Sequence, residues 1–331
     1  LKEVDNTFIY VADYGNKQVY KFAETGDVIK SFDRPQNSPL FTEKDSFQPN
    51  KIAVDRRGNL YIVDLANLNG MIQLSQHGDF LGYYGQPLVK PTLKMIIQFI
   101  FYSKGQRHKI YKAPSTAIAN LAVDHDGLIT TITNDASGNG IERLDISGQN
   151  LLPEWINTFF PIYRNVDQTV SLIDLAIGPI GNIYVIDSLG FISEYDFEGN
   201  LLFVFGGKDA SGQIKGLLNN PSGIAVDRYF NIYALDKVNN NIHVYSPTTF
   251  ANYVHEALFY YQDGKYEDSY GPWLNVLEMN NMFDLAHKGL GKAYYKEMRF
   301  EEALEHFRIA NDKAGYSDSF WELRNEWLNK Y

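Results

Sequence analysis

The sequence predicts a mostly β fold built from repeats, followed by an α-helical C-terminal unit. The clearest repeat is Leu175–Phe205, where four short apolar runs are separated by turn residues such as Gly181-Asn182 and Gly199-Asn200. Short runs joined by tight turns indicate an antiparallel meander. A single meander cannot bury both faces of its sheet, whereas a radial stack of meanders can. We therefore predict a β-propeller.

The same unit returns along the chain. Its first strand and turn recur at Ile52–Asn59, Leu121–Gly127 and Ile224–Asn231. Its second strand ends at the same residue type in four copies, namely Asp13, Asp64, Asp187 and Asp236, while Asn134 takes that place in the Leu121 copy. These residues resemble the NHL repeat family over roughly residues 8–245, in five copies. The resemblance predicts an NHL-type β-propeller with five blades here and six in the full protein. No first strand precedes Phe8–Asp13, so the first of the five blades is expected to be incomplete.

Composition narrows the classes of function. The net charge is −10 and the pI is about 5.2, which argues against a general nucleic-acid binder, because such proteins neutralise phosphates with Lys and Arg. The chain has no cysteine, which excludes disulfides, thiolate catalysis and Cys-ligated metals. No apolar run has the length needed to cross a bilayer.

The propeller is assigned to residues 1–249, with insertions at 86–115 and 153–170. The first insertion contains a predicted short helix, Pro91–Tyr102, and a basic cluster that includes Arg107 and His108. The helix either packs on the propeller or acts as a lid or docking element. The basic cluster is either a solvated surface or an anion contact.

The second insertion is rich in aromatic residues. It holds Trp155, Phe159, Tyr163 and Arg164. Both insertions join a fourth strand to the next first strand, which places them on one face of the predicted propeller. Loops on a rigid scaffold commonly carry binding sites, and aromatic rings suit stacking against sugars. We therefore predict a ligand-binding face formed by these loops.

Residues 250–331 change to a helical pattern. At an offset of 34 residues Ala257 aligns with Gly291, and Trp273 aligns with Phe307. Small residues and aromatics at these places resemble the tetratricopeptide (TPR) repeat, in two copies with a capping helix at Ser317–Lys330. By helical register the groove of this TPR-like domain is lined by Tyr261, Lys288, Lys292 and Tyr295. These side chains either bind a protein or peptide partner, or pack and face solvent.

The combination of blades, TPR-like helices and an N-D-x-x-x-Y-S motif beginning at Asn311 resembles a group of bacterial NHL–TPR proteins that are described as gluconolactonase-like. In that group the two domains form an extracytoplasmic part ahead of a Yip-type membrane domain. The resemblance implies an extracytoplasmic location and membrane anchoring by a segment outside this chain.

The enzymatic alternative concerns the predicted channel of the propeller. Lactonases with this fold hold a divalent cation with one Glu, two Asn and one Asp from inner strands. The corresponding residues here are Lys51, Asn120, Asp174 and Gly223. Asn120 and Asp174 supply oxygen ligands of the kind that Ca²⁺ prefers, whereas the charge of Lys51 opposes a cation. The repeated Asp residues are better explained as loop caps than as catalytic acids.

Two functional hypotheses follow. The favoured one is a non-catalytic interaction or ligand-binding module for a protein, peptide or carbohydrate partner, with no cofactor. It would use the propeller loop face, with Lys51, Asn120 and Asp174, and the TPR groove. The alternative is a hydrolase of the gluconolactonase type that depends on Ca²⁺ or another divalent cation.

Overall fold

The computed structural model describes residues 7–36, 41, 45–67, 69–85, 117–133, 140–153 and 170–330. The helix predicted at Pro91–Tyr102 lies outside these residues, as does nearly all of both insertions. The described part is mostly β, with five antiparallel sheets of three or four strands followed by five α-helices.

Each sheet pairs its strands in chain order. Sheet 1 contains β1 (Phe8–Asp13), β2 (Gln18–Ala23) and β3 (Val28–Phe32). Sheet 2 contains β4 (Lys51–Val54), β5 (Leu60–Val63), β6 (Met71–Leu74) and β7 (Phe80–Tyr84). Sheet 3 contains β8 (Ile118–Val123), β9 (Ile129–Thr133) and β10 (Ile141–Leu144). Sheet 4 contains β11 (Leu172–Ile177), β12 (Ile183–Asp187), β13 (Phe191–Tyr195) and β14 (Leu201–Gly206). Sheet 5 contains β15 (Pro221–Val226), β16 (Ile232–Asp236) and β17 (Asn241–Tyr245). The meander predicted at Leu175–Phe205 is therefore confirmed as β11–β14.

Consecutive sheets share apolar cores. One buried cluster joins sheets 1 and 2, a second joins sheets 2 and 3, and a third joins sheets 3 and 4. Every residue of β5, β9 and β12 is buried, although β9 includes the polar residues Thr130, Thr131 and Thr133. In β16 alternate residues stay exposed, and Leu235 keeps 43% of its surface.

The helices follow the predicted pattern with small shifts. They are α1 (Thr249–Gln262), α2 (Tyr270–Met279), α3 (Asp284–Lys296), α4 (Phe300–Ile309) and α5 (Lys313–Lys330). The last helix begins at Lys313 and not at the predicted Ser317, because the Asp312 carboxylate accepts a 3.0 Å hydrogen bond from the Gly315 N–H and caps the first turn. Pro272 is the third residue of α2, where its missing N–H costs no helical hydrogen bond.

The chain forms two compact units. The first comprises residues 1–177, 183–225 and 234–243, and the second comprises 178–182, 226–233 and 244–331. The second unit therefore combines the helices with two inter-strand turns. Within it Gln262 Nε2 donates a 3.0 Å hydrogen bond to the Ile180 carbonyl. Among the described residues, no helix has the length and apolar character required of a membrane span.

Candidate functional site

Strand pairing places the four predicted channel residues at equivalent positions of the first strands of sheets 2 to 5. Lys51 pairs with Val63, Asn120 with Ile132, and Asp174 with Ile186. A β-carbon added at Gly223 would lie 3.7 Å from the Leu235 β-carbon, which places Gly223 at the corresponding point of sheet 5. We call Lys51, Asn120, Asp174 and Gly223 the inner column.

Two members of the inner column follow β-bulges. The register shifts between Ile118 and Asn120 in sheet 3, and between Leu172 and Asp174 in sheet 4. A bulge inserts one extra residue and changes the direction of the next side chain. In both strands that side chain then turns back on the backbone: Asn120 Oδ1 accepts from the following N–H at 2.8 Å, and Asp174 Oδ1 does so at 2.9 Å.

The Asp174 carboxylate joins the first strands of three sheets. Asn120 Nδ2 in β8 donates to Asp174 Oδ1. The Ile224 N–H in β15 donates to Asp174 Oδ2 at 2.9 Å. Together with the bond from its own strand, the carboxylate thus accepts three N–H donors. This arrangement explains Asn120 and Asp174 as a structural junction between strands.

Burial and charge act on this carboxylate in opposite directions. Burial raises the pKa of Asp174, while the hydrogen bond from Ile224, the charge of Lys51 and the hydrogen bond from Leu175 lower it. Asn120 keeps only 6% of its surface exposed. A half-buried carboxylate that accepts several N–H bonds is held in place as an acceptor.

The inner column does not fit the ligand set of a divalent cation. Ca²⁺ takes six to eight oxygen ligands, whereas the oxygens of Asp174 already accept three N–H donors and Lys51 adds a positive charge. In the part of the chain that the structure describes, no group of three or more His, Cys, Asp or Glu side chains could hold a metal ion.

The repeated Asp residues cap loops, as the sequence predicts. Asp64 accepts hydrogen bonds from the N–H groups of Gln48 (2.8 Å) and Ala66 (2.9 Å). Asp187 accepts from Leu189 at 2.8 Å and from Phe191 at 3.0 Å. Burial raises the pKa of Asp187 to about 6, against the effect of these bonds.

The predicted groove residues lie on α1 and α3. Lys288 Nζ is 3.9 Å from Asp312 Oδ2. The Tyr295 ring contacts Phe300 with ring centroids 5.4 Å apart, and burial raises its pKa, with the charges of Glu322 and Asp318 adding to the effect.

The two remaining groove positions, Tyr261 and Lys292, are half-buried. Tyr261 packs against the Tyr266 ring at a centroid distance of 5.4 Å. The described part of α3 therefore carries Lys and Tyr side chains beside acidic groups, and Tyr261 of α1 packs on Tyr266, which follows that helix.

Six predicted binding residues lie outside the described residues, namely Arg107, His108, Trp155, Phe159, Tyr163 and Arg164. Sequence analysis also missed one pair, because His287 and His306 are far apart in the chain. The structure brings their Nδ1 atoms to 3.0 Å. The antiparallel pairing of the two helices of one predicted repeat is the signal that would have joined them.

Comparison with known proteins finds likeness only among solved structures. No protein-family model matches the chain, and no curated protein matches it. A gluconolactonase from Xanthomonas campestris is 16% identical, with 74% of this chain and 73% of that chain covered and a TM-score of 0.42. The WD40 β-propeller domain of Doa1 is 12% identical, with coverages of 75% and 62% and a TM-score of 0.44. A Bacteroides thetaiotaomicron protein of unknown function is 12% identical, with coverages of 72% and 56% and a TM-score of 0.46.

Proposed function

We propose that the chain is a non-catalytic interaction module whose sheets are blades of a propeller. The observation that carries this proposal is the hydrogen bonding of Asp174, the carboxylate that a lactonase would need as a cation ligand. It joins three first strands through N–H donors. A side chain that holds the scaffold together is poorly suited to bind and release a substrate-activating ion.

The blade arrangement is supported by the packing of the sheets. Neighbouring sheets share cores along the chain, as blades do. Sheets 1 and 5 each expose an apolar face, with Ile9 and Val11 on β1 and Ile242 on β17 more than two-fifths exposed (49%, 42% and 60%). A further blade against these faces would give the six that the NHL resemblance implies.

The helical unit is proposed as a TPR-like binding domain for a polypeptide segment. The small-residue positions support this interpretation, because a β-carbon at Gly291 would lie 2.9 Å from the Phe307 ring. Lys288, Lys292, Tyr261 and Tyr295 would contact the partner, and Asp318 and Glu322 would select its basic groups. Carbohydrate binding at the propeller loops is proposed from the aromatic residues of the second insertion, and an extracytoplasmic location and membrane anchoring are proposed from the family resemblance.

Lactone hydrolysis tests the non-catalytic proposal against its alternative. The full chain is assayed on glucono-δ-lactone after chelation and again with Ca²⁺, Mg²⁺, Mn²⁺ or Zn²⁺, beside Asp174→Asn. We expect no hydrolysis above the spontaneous rate under any condition. Cation-dependent turnover that Asp174→Asn abolishes would establish the lactonase alternative.

Partner binding is tested with charge-reversed groove residues. The full chain and its Lys288→Glu/Lys292→Glu variant are used as baits, and captured polypeptides are quantified by mass spectrometry. A Lys313→Glu variant is the control, since Lys313 is an exposed lysine at the start of α5. We expect a set of partners lost only from the groove variant. Identical sets from all three baits would remove the groove from the proposal.

A further inference from the structure

Two histidines form a close pair inside the helical unit. His287 lies on α3 and His306 on α4. Their Nδ1 atoms are 3.0 Å apart, and their ring planes differ by 32° with centroids 5.2 Å apart. Both side chains are half-buried. Two ring nitrogens at this distance share one hydrogen when both imidazoles are neutral, because one Nδ1 then donates and the other accepts.

The same separation is that of two nitrogens bound to one metal ion. Imidazole nitrogens lie about 2.0–2.1 Å from zinc. Two of them are therefore about 2.8–3.4 Å apart when the angle at the metal is between roughly 90° and 110°. The observed distance of 3.0 Å falls within this range, so the two nitrogens can reach one ion when the rings rotate and both lone pairs face it.

Aromatic packing holds one ring of the pair, that of His306. The Tyr294 ring stacks on His306 with centroids 5.5 Å apart and a 29° angle between the planes. The Arg299 guanidinium lies over the Tyr294 ring, with Arg299 Cζ 4.5 Å from the ring centroid. The charge of the Glu305 carboxylate acts on His306, and Glu305 itself pairs with Arg308 at 2.7 Å. Nitrogen ligands that are already held in position lose little side-chain entropy when they bind a metal ion.

We propose that His287 and His306 bind a divalent first-row transition-metal ion that clamps α3 to α4. Neutral imidazole favours Zn²⁺, Ni²⁺ and Cu²⁺ over Ca²⁺ and Mg²⁺. On binding, the ring that carries its hydrogen on Nδ1 changes to the Nε2–H tautomer, so that both Nδ1 lone pairs face the ion and no net proton is released. Within the described residues no third His or carboxylate joins the pair, and water fills the other coordination positions.

The binding test uses the untagged full chain after chelator treatment. Calorimetric titration with Zn²⁺, Ni²⁺ and Cu²⁺ at pH 7.5 is expected to show one saturable ion per chain, released by chelator, and a melting temperature that rises with free ion concentration. His287→Asn and His306→Asn are each expected to weaken binding by at least about tenfold, since loss of even an outer partner of a metal ligand costs that much.

The matched control is His125→Asn. His125 is exposed and lies 3.4 Å from the Asp126 carboxylate, so it presents an imidazole beside an acidic group outside the pair. This control is expected to bind as the native chain does. Electron paramagnetic resonance of the Cu²⁺-loaded native chain adds a measurement that needs no variant, and coupling to two nitrogens is expected. Absence of saturable binding, native affinity in either His287→Asn or His306→Asn, or coupling to a single nitrogen would overturn the proposal.

Discussion

Phe230 occupies a turn position that is glycine in other repeats. Variants of this residue therefore test how much the contact between the turn and α1 stabilises the second compact unit. The turn begins at Asp227, whose carbonyl accepts from the Phe230 N–H at 3.1 Å. The same bond is made by Gly58 in sheet 2 and by Gly127 in sheet 3. All three residues have positive φ, at 63°, 81° and 84° respectively. A side chain in this region costs about 1–2 kcal/mol.

The strain is offset by contact with α1. The Phe230 ring stacks on His255 with centroids 4.1 Å apart and planes 14° from parallel, and His255 is 4% exposed. Such a ring pair contributes about 0.5–1.5 kcal/mol beyond the area that it buries. Phe230→Ala keeps the strain and loses the stack, so we expect it to lower the free energy of unfolding by about 1–3 kcal/mol. Phe230→Gly also releases the strain and should be more stable than Phe230→Ala by about 1 kcal/mol.

Urea denaturation followed by circular dichroism at 222 nm measures these differences. Gly127→Ala is the matched control, because a β-carbon there meets nothing within 4 Å and therefore reports the cost of positive φ alone. We expect it to destabilise the chain by about 1 kcal/mol. If Phe230→Ala is as stable as the native chain, the stack contributes nothing. If it is as stable as Phe230→Gly while Gly127→Ala is costly, the strain argument fails at residue 230.

Three further results are expected. Asp174→Asn replaces one acceptor oxygen with an NH₂ group among three N–H donors. It should lower the free energy of unfolding, measured by urea denaturation, by about 1–3 kcal/mol for each donor left without an acceptor. An unchanged denaturation midpoint would refute the role of Asp174 in joining the strands. Gly289→Ala would drive a β-carbon into the buried Trp273 ring, whereas a β-carbon at Gly271 in α2 meets nothing within 4 Å. We expect Gly289→Ala to lower the melting temperature and Gly271→Ala to leave it unchanged or raise it. The reverse order would contradict this packing. Burial first, and then the charge of His287, lower the pKa of His306 below 6.5, so protonation of His306 favours the unfolded chain. The melting temperature of the metal-free chain should therefore fall as the pH drops below about 6.5. The His306→Asn variant should show a smaller fall.

Much of the fold follows from local patterns in the sequence. Short apolar runs and turn residues predict the strands of all five sheets, because side-chain alternation and tight turns act within a few residues. The repeated Asp residues could be assigned to loop caps for the same reason. The helical pairs follow from the 34-residue spacing, although the start of α5 depends on the Asp312 cap.

The candidate site could be predicted only in part. Repeat alignment brought Asn120 and Asp174 into one column, but the bulges before them arise from strand pairing and have no signal in a single strand. Whether the Asp174 carboxylate would face an ion or the Ile224 N–H depends on that geometry. The His287–His306 pair depends on the crossing of two helices, which sequence spacing alone does not determine.

Departures from the repeat carry more information than the repeat itself. A residue that fits the repeat pattern is explained by the scaffold, as the buried residues of β12 are. Phe230 replaces the glycine found at this turn position in other repeats and is explained by its contact with His255. Asp174 places a carboxylate where the equivalent positions hold Lys51 and Gly223, and is explained by the strands that it joins. The structure brings His287 and His306 together with their Nδ1 atoms 3.0 Å apart, and a bound ion is the explanation of this pair that we propose to test first.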